Sequence, residues 1–294
     1  MSKITFFVMS EKGFRSIKYF LDNFNFNLID CIVYASDQNV LNDFTKDIID
    51  LAKQHRINYF SRKDKYEIKS KYIVAISWKW LIKLENECIL ITIHDSLLPK
   101  YRGFAPLVNQ LLNKEPYIGV TAIISSDEYD KGDIITQFST KIEYPIKLEN
   151  AITIVSLLYE KIIHFIGTEI NFNRKFITTK QLERDATYSL WRDEFDYKID
   201  WNSDSESILN FIYAVGYPYL GAYCFMDNQK IRILDAEVFD DLKIMNRDIG
   251  KIIFFEEKFP VVVCGKGLLK ITIANYEDNN ESIFPLNKFR IRFT

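Results

Sequence analysis

The feature that most restricts the fold of this chain is a short apolar run in its first third. Residues 88–93 (Cys-Ile-Leu-Ile-Thr-Ile) have the length and the β-branched content of a buried strand. His94 follows this run directly, and turn-forming residues come after it. Because open α/β sheets bind ligands just beyond the carboxyl ends of their strands, this histidine is in a position for chemistry.

Strand-like and helix-like segments alternate before the central run. Apolar strand-like runs occur at residues 4–9, 28–35, 57–60 and 72–76, and residues 40–54 have apolar side chains close to helical spacing. Such alternation favours a mostly parallel sheet that is covered by helices on both faces. We therefore predict an α/β fold with a Rossmann-like, mostly parallel sheet.

Composition and charge argue against several classes of function. The net charge is −2 and no basic run is present, so the sequence gives no support for binding nucleic acid. The four cysteines lie far apart without Cys-x-x-Cys spacing, so we predict no metal site. No apolar stretch approaches the roughly 20 residues of a membrane span, and no signal peptide is evident. We expect a soluble cytoplasmic protein that makes no contact with a membrane.

Two motifs point to a known family. Residues 94–103 (His-Asp-Ser-Leu-Leu-Pro-Lys-Tyr-Arg-Gly) are followed by residues 127–134 (Asp-Glu-Tyr-Asp-Lys-Gly-Asp-Ile). In this order and spacing they resemble the folate-dependent formyltransferases. That family includes methionyl-tRNA formyltransferase and the enzymes that formylate amino groups of nucleotide-linked sugars. The resemblance implies N10-formyltetrahydrofolate as the formyl donor.

The second half of the chain extends the resemblance. Residues 199–201 (Ile-Asp-Trp) and 217–223 (Tyr-Pro-Tyr-Leu-Gly-Ala-Tyr) are similar to the carboxyl-terminal domain of these enzymes, a small β-barrel of the oligonucleotide-binding type. Later strand-like runs suit such a barrel. We predict a catalytic domain at residues 1–173, a linker at 174–200 and a smaller β-barrel domain at 201–294.

The resemblance also assigns roles in the reaction. Attack of a neutral amine on a formyl carbon gives a tetrahedral oxyanion, which needs a hydrogen-bond donor, while the amine needs a proton acceptor. His94 suits either role near neutral pH. Asp130 resembles the carboxylate that orients the histidine and accepts protons. Read without the resemblance, the acids of residues 127–133 are typical of a solvated turn.

Two groups of residues are implied to contact the ligands. The residues that match folate-contacting segments are Ser77, Trp78, Lys79, Ser96, Leu97, Leu98, Pro99 and Asp127. Lys100 and Arg102 are basic and lie next to the predicted opening, where they could meet phosphates of the acceptor. The alternative readings are a packing role for Trp78 and a solvated basic pair for Lys100 and Arg102.

One position departs from the family pattern. Relatives usually have an asparagine two residues before the histidine, and this chain has Thr92. Residues two apart on a strand project from the same face, so Thr92 and His94 should still point together. A threonine hydroxyl is shorter than a carboxamide. Loss of one oxyanion donor costs on the order of 100-fold to 1000-fold in turnover.

The charge of the second half of the chain bears on the identity of the acceptor. From Asp185 onward acidic residues outnumber basic ones, whereas a barrel that binds tRNA should be basic. We therefore favour an N-formyltransferase for a nucleotide-linked amino sugar of bacterial lipopolysaccharide or another surface polysaccharide, acting as a homodimer. The alternatives are a methionyl-tRNA formyltransferase and a non-catalytic family member that binds a nucleotide sugar.

Overall fold

A seven-stranded sheet organises the first half of the chain in a computed structural model that describes residues 3–84, 88–286 and 288–294. The first nine strands are β1 (Ile4–Val8), β2 (Ile29–Tyr34), β3 (Asn58–Ser61), β4 (Tyr72–Ile76), β5 (Ile89–His94), β6 (Arg102–Gly103), β7 (Tyr117–Ile124), β8 (Asp133–Lys141) and β9 (Tyr188–Ser189). The sheet order is β3-β2-β1-β4-β5-β7-β8, and β6 pairs separately with β9.

The direction of the strands confirms the predicted fold class. The pairs from β3 to β5 are parallel, and only β5-β7 and β7-β8 are antiparallel. The β1, β2 and β4 strands are apolar and largely buried, as expected for a parallel sheet covered on both faces. The sheet is therefore mostly parallel, with β5, the strand that ends at His94, between β4 and β7.

In the part of the chain that the structure describes, five α-helices accompany the strands: α1 (Ser10–Asn23), α2 (Thr45–Gln54), α3 (Pro106–Leu112), α4 (Leu148–Asn171) and α5 (Ser205–Ala214). Helix α2 begins later than the predicted residue 40. The Asp43 side chain accepts a hydrogen bond from the Thr45 backbone N–H at 3.0 Å, and Phe44 has a left-handed φ of 57°. The carboxylate thus satisfies a free N–H group at the helix start, and residues 40–44 stay outside the helix.

Helix α4 is long and apolar enough, by length and composition alone, to cross a membrane. Half of its most apolar stretch is buried inside the protein. The buried side chains recur every three or four residues, at Ala151, Val155, Leu158, Ile162 and Ile166. This spacing places them on one face, which is the pattern of a helix that packs on a core.

The second half of the chain contains a separate antiparallel sheet. Its strands are β10 (Ala222–Met226), β11 (Gln229–Phe239), β12 (Ile252–Glu256), β13 (Phe259–Val263) and β14 (Leu268–Tyr276), in the order β10-β11-β14-β13-β12. Residues 291–294 bond to both edges: Thr294 exchanges backbone bonds with Phe225, while Phe293 N–H donates to Gly250. The two edge strands are thereby linked, as in a barrel.

The contacts divide the chain into two units. The first comprises Met1–Gln110, Glu115–Ile142 and Ala151–Trp191, and the second comprises Leu111–Lys114, Glu143–Asn150 and Arg192–Thr294. Residues 174–191 of the predicted linker lie in the first unit and residues 192–200 in the second. The predicted domain limits at 173 and 200 remain a prediction.

A buried arginine ties together parts of the second unit. Arg232 on β11 is 5% exposed, and its guanidinium donates to Gly221 O at 2.7 Å, to Glu194 Oε1 at 2.7 Å and to both carboxylate oxygens of Glu277. A buried guanidinium is stable only when its donors are paired in this way. Glu277 follows β14, so the cluster joins β11, β14 and the segment around Glu194.

Replacing Glu277 by Gln should destabilise the second unit. The amide offers Arg232 one acceptor oxygen instead of two and no charge, so we expect the free energy of unfolding to fall by about 1–2 kcal/mol. Urea denaturation followed by circular dichroism measures this change. The same substitution at the exposed Glu256 is the matched control and should stay within about 0.5 kcal/mol. Equal stability of the two variants would contradict the role of the cluster.

Candidate active site

His94 is the last residue of β5, at the carboxyl edge of the sheet, and it is 9% exposed. Its Nε2 lies 2.7 Å from the Tyr101 carbonyl oxygen. A carbonyl only accepts hydrogen bonds, so Nε2 carries the hydrogen in this contact. In the neutral ring, Nδ1 is therefore the nitrogen with the free lone pair.

Asp130, from the second motif, faces the Nδ1 side of the His94 ring. His94 Nδ1 lies 3.5 Å from Asp130 Oδ1, and Asp130 Oδ2 accepts a hydrogen bond from the Gly103 backbone N–H at 2.8 Å. The carboxylate is thus held by a fixed backbone donor while its other oxygen faces the imidazole. The structure brings together the two side chains on which the predicted chemistry depends.

The loop that carries Asp130 is seated closely on the end of β7. A Cβ atom at Gly132 would lie 1.8 Å from the Ile124 carbonyl oxygen, so only glycine fits there. Gln181 closes the loop from the other side, donating from Nε2 to the carbonyl oxygens of Asp130 at 2.7 Å and of Gly132 at 2.8 Å. No motif or spacing around Gln181 indicates this role in the sequence.

A buried ion pair fixes the chain immediately after His94. Lys12 of α1 donates to Asp95 Oδ2, and the Tyr159 hydroxyl of α4 donates to Asp95 Oδ1 at 2.5 Å and lies 3.2 Å from the Ile93 carbonyl oxygen. Burial raises the pKa of Asp95, but Lys12 and Tyr159 outweigh it and hold that pKa below its ordinary value. Burial likewise raises the pKa of Tyr159, so the hydroxyl keeps its proton.

Thr92 forms a hydroxyl pair that sequence reasoning missed. Its Oγ1 lies 3.0 Å from Oγ of Ser125, the residue that follows β7. The antiparallel register aligns Thr92 with Ile123 and His94 with Thr121. Residues two apart share a face, so Thr92, His94 and Ser125 lie on the same side of the sheet. In the sequence, the available signal is a hydroxyl residue at the end of the strand-like run of residues 119–125.

The residues that follow β4 lie beside the site. Ile76 pairs with Ile93, so Ser77 stands at the same level of the sheet as His94. Ser77 accepts a hydrogen bond from the Ser10 hydroxyl at 3.1 Å. Lys79 is ion-paired with Asp37, so any contact of its ammonium with a ligand would be shared with this ion pair.

Trp78 has both a packing role and an open hydrogen-bond donor. Its ring packs edge-on against Phe7, with centroids 5.0 Å apart, and against Trp80 at 5.3 Å. Its indole N–H is buried and has no hydrogen-bond partner among the described residues. Buried donors of this kind usually have a partner, so the indole nitrogen is suited to meet a ligand acceptor.

The segment of residues 96–99 is pinned by its own hydrogen bonds. Ser96 is fully buried, and its hydroxyl donates to the Lys100 carbonyl oxygen at 2.6 Å rather than facing an opening. The Leu98 backbone N–H donates to the Thr121 hydroxyl at 3.1 Å, and Gln137 Nε2 donates to the Leu98 carbonyl oxygen at 2.8 Å. The segment therefore offers a ligand a rigid backbone more than the Ser96 side chain.

Three other predicted ligand contacts differ in exposure. Leu97 and Pro99 are half-buried, and Leu97 packs so closely over Gly119 that a Cβ there would lie 2.6 Å from it. Asp127 is exposed at the start of the second motif. Its contact with a cofactor stays a prediction.

The two basic residues have different environments. Lys100 is exposed, as expected for a residue that meets an anionic acceptor. Arg102 is 1% exposed, and its guanidinium donates to Gln181 Oε1 at 2.9 Å and to Glu183 Oε1 at 2.8 Å, with Tyr188 OH at 3.3 Å. Arg102 therefore holds residues 181–188 in place, and its predicted contact with substrate phosphates has no support from this geometry.

Among the described residues, no group of three or more His, Cys, Asp or Glu side chains is arranged to hold a metal ion. All four cysteines are free.

Comparison with known proteins identifies the class to which this fold and site belong. Residues 65–151 match the family model described as formyl transferase, and residues 193–282 match the model described as formyl transferase, C-terminal domain. The chain belongs to the formyl transferase family.

Relatives of this chain have two kinds of names. It is 32% identical over 187 residues to the methionyl-tRNA formyltransferase of Thermodesulfovibrio yellowstonii, covering 64% of this chain and 58% of the relative. It is 28% identical over 299 residues to the bifunctional polymyxin resistance protein ArnA of Wigglesworthia glossinidia brevipalpis, covering 95% of this chain and 43% of the relative. The matches thus span about half the length of these relatives.

Two solved structures share the fold over almost their entire length. One is WlaRD, a sugar 3N-formyl transferase crystallised in the presence of dTDP and 5-N-formyl-THF, with a TM-score of 0.70, 22% identity and coverage of 95% of this chain and 99% of that one. The other is the N-formyltransferase of Helicobacter canadensis in complex with folinic acid and dTDP-3-aminofucose, with a TM-score of 0.71, 20% identity and coverage of 92% and 99%.

Replacing Asp95 by Asn should destabilise the first unit strongly at neutral pH. The variant leaves the Lys12 ammonium, whose side chain is 14% exposed, without its counter-charge, so we expect the free energy of unfolding to fall by about 3 kcal/mol. Because the folded state lowers the pKa of Asp95 from 3.8, the stabilisation is present above that pH. It is lost as the pH falls through the lower pKa of the folded state, so the difference between variant and wild type should shrink there.

Denaturant titrations at several pH values measure this difference. Asp22→Asn is the matched control, because Asp22 pairs with Lys18 on the exposed surface of α1 and should contribute less than about 0.5 kcal/mol. A stability gap for Asp95→Asn that does not depend on pH would contradict an ionic origin.

Proposed function

We propose that this protein is an enzyme that transfers a formyl group from N10-formyltetrahydrofolate to the amino group of a nucleotide-linked amino sugar. The observation that carries the proposal is the 3.5 Å approach of His94 Nδ1 to Asp130 Oδ1 at the carboxyl edge of the sheet. Membership of the formyl transferase family supports the reaction type. The likeness to structures crystallised with folate compounds and dTDP ligands supports the donor and the acceptor.

The residues present fit a folate donor. Such a donor supplies an electrophilic formyl carbon. The unpartnered indole N–H of Trp78 can donate to a heteroatom of the pterin, and the pinned backbone of residues 97–99 provides a rigid edge beside it. Ser77 lies at the same level of the sheet as His94, so a ligand held there is within reach of the imidazole.

Proton transfer follows from the tautomer that the site imposes. A carbon–nitrogen bond forms from the acceptor amine to the formyl carbon, and the bond to the folate nitrogen breaks. The amine loses one proton and the folate nitrogen gains one. His94 is suited to carry this proton, because Tyr101 holds Nε2–H and leaves Nδ1 free to accept. Asp130 stabilises the imidazolium that results.

Two observations favour a sugar acceptor over tRNA. The match to the dTDP-linked sugar enzymes extends over 92–95% of this chain, and acidic residues exceed basic ones after Asp185. Phosphate contacts dominate binding to tRNA, so an acidic second unit is poorly suited to it. The 32% identity to a methionyl-tRNA formyltransferase keeps that activity as the second candidate.

The proposal has a cellular setting as well. We place the reaction in the cytoplasm, in the synthesis of a bacterial surface polysaccharide such as lipopolysaccharide, with the enzyme acting as a homodimer. Lys100, an exposed residue of the first motif, is the side chain that we assign to the diphosphate of the acceptor. A non-catalytic family member would bind the same ligands without turnover, which the acceptor assay below distinguishes.

His94→Ala and Asp130→Asn should each lower kcat/KM by about 100-fold or more, the usual contribution of a general acid–base group. Asp130→Asn keeps the shape of the side chain and removes its charge. Formylated product, separated by chromatography from the amine, measures the rate. The matched controls are Asp50→Asn, on the exposed surface of α2, and His55→Ala, just after the end of that helix. Both should retain wild-type rates. Full activity in either site variant would overturn the assignment of its role.

An acceptor panel tests the substrate. Purified protein with N10-formyltetrahydrofolate should formylate at least one nucleotide-linked 3-amino or 4-amino dideoxyhexose and should leave charged initiator tRNA unchanged. Formylation of the tRNA alone would select the second candidate. Binding of a nucleotide sugar and of the folate, measured by calorimetry, without any product would select the non-catalytic alternative.

A further inference from the structure

We propose that Ser125 is a positioning residue that orients the Thr92 hydroxyl as the hydrogen-bond donor to the reacting formyl oxygen. The inference rests on the proposed function. It starts from the 3.0 Å separation of Thr92 Oγ1 and Ser125 Oγ on the partly buried face that also carries His94.

Two hydroxyl groups at this distance form one hydrogen bond with each other. This bond uses one of their two O–H donors, and the second O–H is not used within the pair. In the described part of the chain, neither side chain has another hydrogen-bond partner, so the remaining O–H is available to a ligand. When Ser125 donates to Thr92 Oγ1, the free donor belongs to Thr92, which stands two residues before His94. Negative charge that develops on the formyl oxygen favours the arrangement in which Ser125 donates to Thr92 and Thr92 donates to that oxygen. The reason is that each hydrogen bond in such a series polarises the next.

A nearby hydroxyl on the same face provides a contrast. Thr121 pairs with His94 in the strand register, but its hydroxyl donates to the Ser96 carbonyl oxygen at 2.6 Å and accepts from Leu98 N–H at 3.1 Å and from Gln137 Nε2 at 2.8 Å. Its hydrogen-bonding capacity is fully used within the protein. Unlike Thr121, the hydroxyl pair of Thr92 and Ser125 keeps an O–H donor that a ligand can use.

The backbone fixes Ser125 relative to the carboxylate of the site. Ser125 N–H donates to the Leu90 carbonyl oxygen at 2.8 Å, which anchors it to β5. A Cβ at Gly132 would lie 3.3 Å from Ser125 Cα, so the loop that carries Asp130 is seated directly on this residue. Thr92 and His94 on β5 are thus held on one strand, and Ser125 and the loop of Asp130 follow the strand paired with it, β7.

This arrangement answers the problem of the short side chain at position 92. A threonine hydroxyl without a second partner rotates about its C–O bond and points its hydrogen in several directions. A hydrogen bond received from Ser125 removes part of that freedom, because the lone pair that accepts it is no longer available for other orientations. The pair then acts as one preorganised donor, which is the property that stabilises developing negative charge.

The test is a double-mutant cycle of Ser125→Ala and Thr92→Val in the formyl-transfer assay. We expect kcat to fall about 10-fold for Ser125→Ala and about 100-fold for Thr92→Val, with the KM of donor and acceptor changed less than about twofold. Because Ser125 acts only through Thr92, the double variant should be no slower than Thr92→Val. Ser125→Thr, which keeps a hydroxyl, should recover most of the activity.

Controls separate this role from a structural one. Ser139→Ala removes an exposed hydroxyl from β8 and should keep the wild-type kcat, and thermal unfolding of every variant shows whether it is folded. An unchanged kcat for Ser125→Ala, or additive losses in the double variant, would overturn the inference while leaving the proposed function intact. If the wild-type protein transferred the formyl group to no acceptor, both this inference and the proposed function would be contradicted.

Discussion

The reactive centre depends on how β5 ends. His94 is followed by Asp95, whose buried carboxylate receives hydrogen bonds from Lys12 of α1 and Tyr159 of α4. Charge burial is tolerated only when the pairing geometry is good, so this network fixes the two helices and the strand end relative to one another. The backbone that carries the imidazole is consequently rigid before any ligand binds. A preorganised site of this kind needs little rearrangement during the reaction.

The same strand end also explains the tautomer of His94. Tyr101 presents its carbonyl oxygen to Nε2 because the turn after Asp95 returns the chain to the imidazole within seven residues. Ser96 stabilises that turn through its bond to the Lys100 carbonyl oxygen. Ser96, which the family resemblance implied as a cofactor contact, thus stabilises the turn. Ser96 therefore influences the reaction by helping to orient the His94 ring.

The sheet could be predicted from strand periodicity, and the meeting of His94 with Asp130 from the resemblance of the two motifs to the folate-dependent formyltransferases. The partners of buried charges could not. Arg102 was assigned to the opening because sequence gives its charge but not its burial, and Glu183 lies 81 residues further along the chain. Lys12 and Tyr159 were missed for the same reason, since nothing local marks either residue as a partner of Asp95.

Apolar periodicity did not predict the structure of the segment after residue 173, and the contacts of that segment show the reason. Apolar spacing detects elements that pack by hydrophobic burial, and residues 181–189 are instead ordered by polar contacts. Gln181 donates to the loop of Asp130 and accepts from Arg102, and β9 pairs with β6 next to Gly103. Gly103 in turn supplies the N–H that orients Asp130. A stretch without apolar periodicity therefore supports the carboxylate of the site from two directions.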